Sequence, residues 1–160
     1  MLQTIALRDF VIVDALELDF ISGFTVLTGE TGAGKSILLD ALGLVLGERA
    51  DSSQIREGCS RAEISALFQI DGDAQAAIAA WLDENSFPIE DKGQSLFLKR
   101  IVESNGRSRA FINGSVATLT QLREAGDQLV DIHGQNAHQL LLKGGRSAIY
   151  SIGMRAWQQW

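Results

Sequence analysis

Cysteine, histidine and long apolar runs are scarce in this chain of 160 residues, and each scarcity excludes a class of protein. The single cysteine, Cys59, rules out an internal disulfide and a zinc site built from cysteines, and we expect it to act as a small neutral residue. The two histidines, His133 and His138, are too few for a metal centre of their own. No apolar run is long enough to span a bilayer, and Met1–Thr4 does not begin a secretory signal. These absences predict a cytoplasmic protein with no membrane partner.

Positive charge is also in deficit. The chain has 14 lysines and arginines against 20 aspartates and glutamates, which gives a formal net charge of −6. The whole-chain balance therefore offers no electrostatic argument for nucleic-acid binding. Any contact with DNA would need a local basic patch or another part of the protein.

The remaining composition is that of one globular domain. Hydrophobic residues make up 46% and charged residues 21% of the chain, which is ordinary for a folded protein of this length. A chain of this size can bury a substantial core.

One glycine-rich stretch fits the phosphate-binding pattern G-x-x-x-x-G-K-[ST] at every fixed position. Its residues are Gly29, Glu30, Thr31, Gly32, Ala33, Gly34, Lys35 and Ser36. Glycines let backbone N–H groups approach phosphate oxygens closely, Lys35 is expected to reach the β- and γ-phosphates, and the Ser36 hydroxyl is expected to bind Mg²⁺. The stretch predicts a nucleoside triphosphate with Mg²⁺ as the ligand.

The sequence on either side supports this motif. Residues 24–28 have the composition of a short buried strand, and residues 35–46 are apolar on almost all sides, as in a helix buried on all faces. Gly47 is a natural end for that helix. A strand, a glycine loop and a helix in this order form the context that a P-loop requires.

Further strands and helices are predicted from apolar spacing and turn residues. The predicted strands cover residues 5–10, 16–20, 62–70, 95–103, 109–112 and 129–133, and the predicted helices cover residues 74–85 and a short segment, capped by Thr118 or Thr120, that ends near Gly126. Residues 104–107 and Asn113-Gly114 are predicted turns.

Hydrolysis needs an acidic metal ligand on a neighbouring strand and a group that positions water. Asp131 is the one candidate for the acidic ligand, although the apolar run before it is short and Ile132 follows it. Gln135 follows the predicted final strand, where its amide could contact both Mg²⁺ and the attacking water, or could belong to a plain surface loop. Leu142–Gly145 has a faint likeness to an L-S-G-G signature without its serine, and is interpreted as a loop.

Several motifs together resemble the RecN family, bacterial ATPases of the SMC class that repair DNA double-strand breaks. The residues that carry this resemblance are Thr28–Ile37, Asp40–Gly43, Gly47–Ala50, Gly106–Gly114, Asp131–Gln135 and His138-Gln139, with Leu7–Val13 at the start. The resemblance covers residues 1–142 and is more specific than the P-loop alone.

The resemblance implies an α/β fold: a P-loop NTPase of the ABC/SMC head type, with a mixed sheet and an antiparallel β-subdomain. It implies that Lys35 and Gln135 serve catalysis, that Ser36 and Gln135 contact Mg²⁺, and that Arg56 belongs to an arginine loop near nucleotide or DNA. In this family the signature motif, the Walker B aspartate and the catalytic glutamate come from a C-terminal half-head, beyond a long coiled coil. Two heads then enclose two ATP molecules. The implied partners are ATP, DNA, the C-terminal half-head and a second head in a homodimer, with a location at the nucleoid.

Residues 143–160 depart from the family pattern. They contain Lys143, Arg146 and Arg155, no acidic residue and two tryptophans, and they lack the heptad pattern of a coiled coil. We expect this segment to be an atypical tail that results from truncation with an altered reading frame or from a foreign extension.

Two other functions remain open at this point. A self-contained small P-loop kinase would use Asp131 for Mg²⁺ and Arg107 and Arg109 to clamp phosphate. A non-catalytic fragment would associate through apolar surface that a missing half-head leaves uncovered. The main interpretation predicts that the chain binds ATP without efficient turnover.

Overall fold

The computed structural model describes residues 2–20 and 33–134, and it describes side chains for residues 2–20 and 36–129. Six strands form one sheet within these ranges. They are β1 (Leu2–Phe10), β2 (Val13–Asp19), β3 (Arg61–Gln69), β4 (Ser95–Glu103), β5 (Ser108–Ile112) and β6 (Ser115–Ala117). Their order in the sheet is β2-β1-β3-β4-β5-β6, and every neighbouring pair is antiparallel.

Three α-helices and two short 3-10 helices accompany the described sheet. The α-helices are α1 (Ala33–Val45), α2 (Ala74–Glu84) and α3 (Leu119–Gly134), and the 3-10 helices are Ser52–Gln54 and Asp91–Gly93. Helix α1 packs on β3 and β4, and α3 packs beside β5. Helix α2 packs against the 3-10 helix at Asp91–Gly93.

The alternation of side chains along the strands places the core on one face of the sheet. On β3, Ala62, Ile64, Ala66 and Phe68 are buried, while the residues between them are more exposed. Because successive strand residues point to opposite faces, this pattern directs the apolar half toward α1 and α3. The C-terminal half of α1 closes the core, since Ala41, Leu42, Leu44 and Val45 are all buried.

The opposite face of the sheet carries charges in pairs. Glu63 accepts from Lys99 at 3.0 Å and from Arg61 at 3.2 Å, and Arg109 lies 3.1 Å from Glu103. Such exposed pairs contribute little to stability. These pairs do, however, neutralise three cations of this face, Arg61, Lys99 and Arg109, which weakens the attraction of the face for phosphate or DNA.

The structure confirms the antiparallel subdomain and most of the predicted elements. The strands at 5–10, 16–20, 62–70, 95–103 and 109–112 and the helix at 74–85 are present with small shifts of their ends. The hairpin at 104–107 and the turn at Asn113-Gly114 are also present. The strand predicted at 24–28, which would make the sheet mixed, lies outside the described residues. Strand β6 escapes prediction because it is only Ser115–Ala117.

Two predictions about helices were wrong in part. Helix α1 is not buried on all faces, because Ser36 and Asp40 are exposed and Ile37–Leu39 are only half-buried. Residues 129–133 are not a strand, because α3 continues through them to Gly134. The buried residues Leu122, Ala125 and Leu129 recur at helical spacing, and a short apolar run such as 129–132 fits a buried helix as well as a strand.

Helix α3 begins with a capping box, which leads to a test of its stability. The Gln121 N–H donates to Thr118 Oγ1 at 3.0 Å, and the Thr118 N–H donates to Gln121 Oε1 at 2.9 Å. Replacing Thr118 with alanine is expected to lower the free energy of unfolding by about 1 kcal/mol, because the first turn loses its acceptor. Urea denaturation followed by circular dichroism measures the change.

Thr120→Ala is the matched control for that substitution. Thr120 is exposed inside the first turn of α3 and is the other predicted cap. We expect Thr120→Ala to change the free energy of unfolding by less than about 0.5 kcal/mol. Equal losses for the two variants would show that Thr118 is not the cap.

Candidate nucleotide-binding site

The second half of the glycine-rich motif forms the first turn of α1. Ala33, Gly34, Lys35 and Ser36 are the first four residues of the helix. The first four N–H groups of an α-helix have no acceptor within the helix, and the helix dipole adds a partial positive charge there. This turn contains no acidic residue that would repel an anion. The start of α1 therefore has the backbone chemistry of a phosphate site.

The side chains predicted to act at this turn are described only in part. Ser36 is exposed at the start of α1, and a hydroxyl oxygen is the kind of ligand that a hard cation such as Mg²⁺ prefers. The contacts predicted for Gly29–Gly32 and for the Lys35 side chain lie outside the described residues. Their roles stay predictions.

The other end of α1 closes in a Schellman motif. Gly47 has φ +99°, the Glu48 N–H donates to the Gly43 carbonyl at 3.0 Å, and the Gly47 N–H donates to the Leu44 carbonyl at 3.2 Å. This pair of bonds satisfies carbonyls that the helix end leaves without partners, and it needs a left-handed residue at the position of Gly47. The predicted end of the helix at Gly47 is confirmed.

A buried arginine from β4 also binds this end of α1. Arg100 is 1% exposed, and its Nη1 donates to the Leu44 and Glu48 carbonyls, each at 2.9 Å. Its Nε and Nη2 donate to Ser108 Oγ on β5 at 3.3 and 3.1 Å. Burial lowers the pKa of the Arg100 guanidinium, and the positive charge of Arg123 lowers it further. A cation beside the carbonyl end of a helix is favoured by the helix dipole.

Helix α3 holds the same end of α1 from another side. A Cβ atom on Gly47 would lie 2.7 Å from Arg123 Cα, and one on Gly126 would lie 2.7 Å from the Leu46 carbonyl oxygen. The two backbones therefore approach more closely than side chains would allow. Arg123 Nη2 also donates to the Gly47 carbonyl at 3.4 Å.

Sequence reasoning missed Arg100, although a signal for it was present. Strand β4 alternates, and Leu96, Leu98 and Val102 share the inward register with Arg100. A lone arginine in the inward register of a buried strand indicates a polar partner inside the core, because a buried charge is costly without hydrogen bonds.

Arg56 binds the loop after α1 to the β1–β2 turn. Its Nη1 lies 3.1 Å from Asp14 Oδ1 and 3.8 Å from Asp9 Oδ1, and its N–H donates to the Asp9 carbonyl at 2.8 Å. Nearby, Cys59 is half-buried, and desolvation together with a hydrogen bond to Asp9 raises the pKa of its thiol. The thiol thus stays protonated at neutral pH, as expected for a neutral residue. The arginine-loop role of Arg56 remains a prediction.

The structure removes the basis for the Asp131 metal site. Asp131 and His133 lie within α3, whereas a Walker B aspartate needs a strand. Arg109, a phosphate clamp in the kinase interpretation, is paired with Glu103. Nothing favours the kinase alternative. Gln135, His138 and the segment Leu142–Gly145 lie outside the described residues, so the predicted Q-loop role of Gln135 is not tested, although a helix rather than a strand precedes it.

Metal-ligand clusters and membrane spans are both absent from the described part of the chain. Within residues 2–20 and 33–134, no three His, Cys, Asp or Glu residues come together as a metal site. No helix in these ranges is long and apolar enough to cross a membrane.

Comparison with known proteins places this geometry in a family. The profile of the RecF/RecN/SMC N terminal domain matches residues 1–157. The DNA repair protein RecN of Vibrio cholerae is 41% identical over 171 aligned positions, which include 100% of this chain and 30% of that protein. RecN of Haemophilus influenzae is 46% identical over 143 positions, which include 89% of this chain and 25% of that protein. The chain thus spans less than a third of the length of these relatives.

Solved structures show the same fold. A chain from work on ATP-driven dimerization and DNA-stimulated activation of SMC ATPases superposes with a TM-score of 0.62 at 24% identity, over 84% of this chain and 83% of that one. At this identity the likeness shows that the two chains share an α/β fold. The chain belongs to the RecF/RecN/SMC N-terminal domain family, and within it matches the N-terminal segment of RecN.

Proposed function

We propose that this chain binds ATP with Mg²⁺ at the start of α1, as the N-terminal half of a RecN-type ATPase head that acts in DNA double-strand-break repair. The observation that carries the proposal is the placement of the motif. Its second half, Ala33–Ser36, forms the first turn of α1, where backbone N–H groups point along the helix axis and no acidic residue is present. The names of the relatives support the repair process, since they are DNA repair proteins.

Each part of the site has a distinct role in this proposal. The N–H groups of the glycine loop and of Ala33–Ser36 bind phosphate oxygens, and Lys35 neutralises the β- and γ-phosphates. The Ser36 hydroxyl and Gln135 hold Mg²⁺, which would screen the charge of the triphosphate. An exposed hydroxyl at the helix start suits this hard cation, which prefers oxygen ligands.

The proposal assigns hydrolysis to a composite site. Glu63 and Glu103, on the strands that pack against α1, lie in the outward register and pair with cations of the opposite face of the sheet. Asp131 lies in a helix. The C-terminal half-head would supply the Walker B aspartate and the catalytic glutamate. A second head would supply the signature motif. A solved chain with the same fold comes from work on ATP-driven dimerization of SMC ATPases, which supports a paired site. The chain alone would bind ATP and hydrolyse it slowly. Contact with DNA would require the assembled protein, which would reside at the nucleoid.

Titration of the purified chain with a fluorescent ATP analogue, with and without Mg²⁺, tests this function. We expect Mg²⁺-dependent binding and almost no phosphate release. Phosphate release is expected to rise when a separately purified C-terminal half-head of RecN is added. Absence of nucleotide binding would contradict the proposed ligand, and rapid hydrolysis by the chain alone would contradict the composite site.

A further inference from the structure

We propose that Arg100 is a positioning residue for the nucleotide, because it fixes the far end of the helix whose first turn binds the phosphates. This inference rests on the proposed function above. Arg100 is not a catalytic residue, since it binds the carbonyl end of α1 and not the phosphate end.

The contacts of Arg100 join four parts of the described domain. The residue belongs to β4, its Nη1 binds the carbonyls of Leu44 in α1 and Glu48 in the following loop, and its Nε and Nη2 bind Ser108 on β5. The guanidinium thus connects the last turn of α1 to β4 and β5 through directional bonds. Through these bonds the Leu44 and Glu48 carbonyls and the Ser108 hydroxyl stabilise its buried charge.

An apolar residue at position 100 would pack against α1 without directional bonds. Leu98 and Val102 occupy the same face of β4 and contribute nondirectional apolar burial. Apolar contacts of that kind tolerate sliding and rotation of a helix on a sheet. The Arg100 bonds do not, because each requires a fixed position of a carbonyl oxygen. Burial of a charge is costly, and here it specifies one placement of α1.

Because α1 is long and rigid, the position of its carbonyl end determines the position of the N–H groups at its first turn. The thirteen residues of α1 form a rod of roughly 20 Å, and Leu44 lies about 12–16 Å along it from the residues of the first turn. A small tilt at the carbonyl end moves the N–H groups at Ala33–Ser36 by a larger distance. Phosphate binding requires several of these groups at hydrogen-bond distance together, so a shift of about 1 Å weakens it strongly.

Three variants of the full chain test the inference. Arg100→Met removes all of the bonds and keeps much of the apolar stem. Arg100→Lys keeps the charge, but its single ammonium cannot span the two carbonyls and Ser108. Ser108→Ala removes only the β5 connection, and it keeps the experiment informative if either Arg100 variant fails to fold. Leu82→Ala, in a buried position of α2, is a control that destabilises the core and removes none of the Arg100 bonds.

The measurements are the ATP-Mg²⁺ dissociation constant at a temperature where circular dichroism shows each variant folded, and hydrogen exchange of Ala33–Val45 without nucleotide. We expect about tenfold weaker ATP binding for Arg100→Met. We expect weaker binding for Arg100→Lys as well, because it keeps the charge but not the set of bonds, and a smaller loss for Ser108→Ala. Leu82→Ala should bind ATP as the unmodified chain does. Exchange in α1 should accelerate in the Arg100 variants and not in Leu82→Ala.

Unchanged ATP affinity in Arg100→Met, or an equal loss in Leu82→Ala, would overturn the positioning role. If the unmodified chain binds no ATP, the proposed function fails, and hydrogen exchange still decides the inference about α1. Unchanged exchange across Ala33–Val45 in the Arg100 variants would then overturn it.

Discussion

Lys35→Ala is expected to weaken ATP-Mg²⁺ binding by about 100-fold, which corresponds to the loss of charged hydrogen bonds worth about 3 kcal/mol. Lysine at this place in the motif reaches the β- and γ-phosphates, and alanine can neither reach them nor neutralise their charge. The backbone N–H groups at the start of α1 remain, so weak phosphate binding should persist. Isothermal titration at fixed ionic strength measures the dissociation constant.

Lys99→Ala is the matched control for the Lys35 experiment. It removes the same charge from β4, on the face of the sheet opposite to α1, where Lys99 pairs with Glu63 at 3.0 Å. Its ATP affinity should stay within about twofold of the unmodified chain, because exposed pairs contribute little. Similar losses in both variants would mean that general electrostatic attraction, and not a defined site, binds the nucleotide.

Gly47→Ala is expected to lower the free energy of unfolding by about 2–5 kcal/mol. Two costs add: a left-handed φ of +99°, which disfavours alanine by about 1–2 kcal/mol, and a Cβ placed 2.7 Å from Arg123 Cα, where overpacking costs about 1–3 kcal/mol. The displaced backbone of α3 cannot yield as a flexible side chain would. Urea unfolding of the variant and the unmodified chain gives the difference in free energy.

Two other glycines separate the two costs. Gly106 has φ +85°, and a Cβ added there would meet no atom within 4 Å, so Gly106→Ala should show only the backbone cost. Gly126 lies inside α3, where a Cβ would meet the Leu46 carbonyl oxygen at 2.7 Å. Gly126→Ala should show the steric cost, reduced by the better helix propensity of alanine. Equal losses for Gly47→Ala and Gly106→Ala would show that close approach of α3 contributes nothing.

Much of the fold could be predicted because its strands are half-buried. Alternation along residues 62–70 and 95–103 shows directly which side faces the core, and the hairpin at 104–107 connects two such strands. The prediction failed where alternation is absent. In α3, residues 129–132 form a run too short to show a period, and the buried residues Leu122 and Ala125 that complete the helical stripe lie before it.

Only the part of the candidate site that is contiguous in the sequence could be predicted. The phosphate motif is local, so its place at the start of α1 follows from a contiguous pattern. The support at the other end of α1 is not local, because Arg100, Ser108, Arg123 and Gly126 come from β4, β5 and α3. Only the pairing of strands and the packing of α3 bring these residues to Gly47.

The order of the strands also determines when this site can form during folding. Strands β3 to β6 pair with their neighbours in the chain; short turns join β4 to β5 and β5 to β6, and residues 70–94 with α2 join β3 to β4. The pairing of β1 with β3 instead encloses residues 11–60, which contain β2, the whole phosphate motif and α1. Closing a long loop costs more entropy than closing a hairpin, so local pairing precedes it. During synthesis, β1 and the phosphate motif are therefore made before β3 and β4, the strands on which α1 packs.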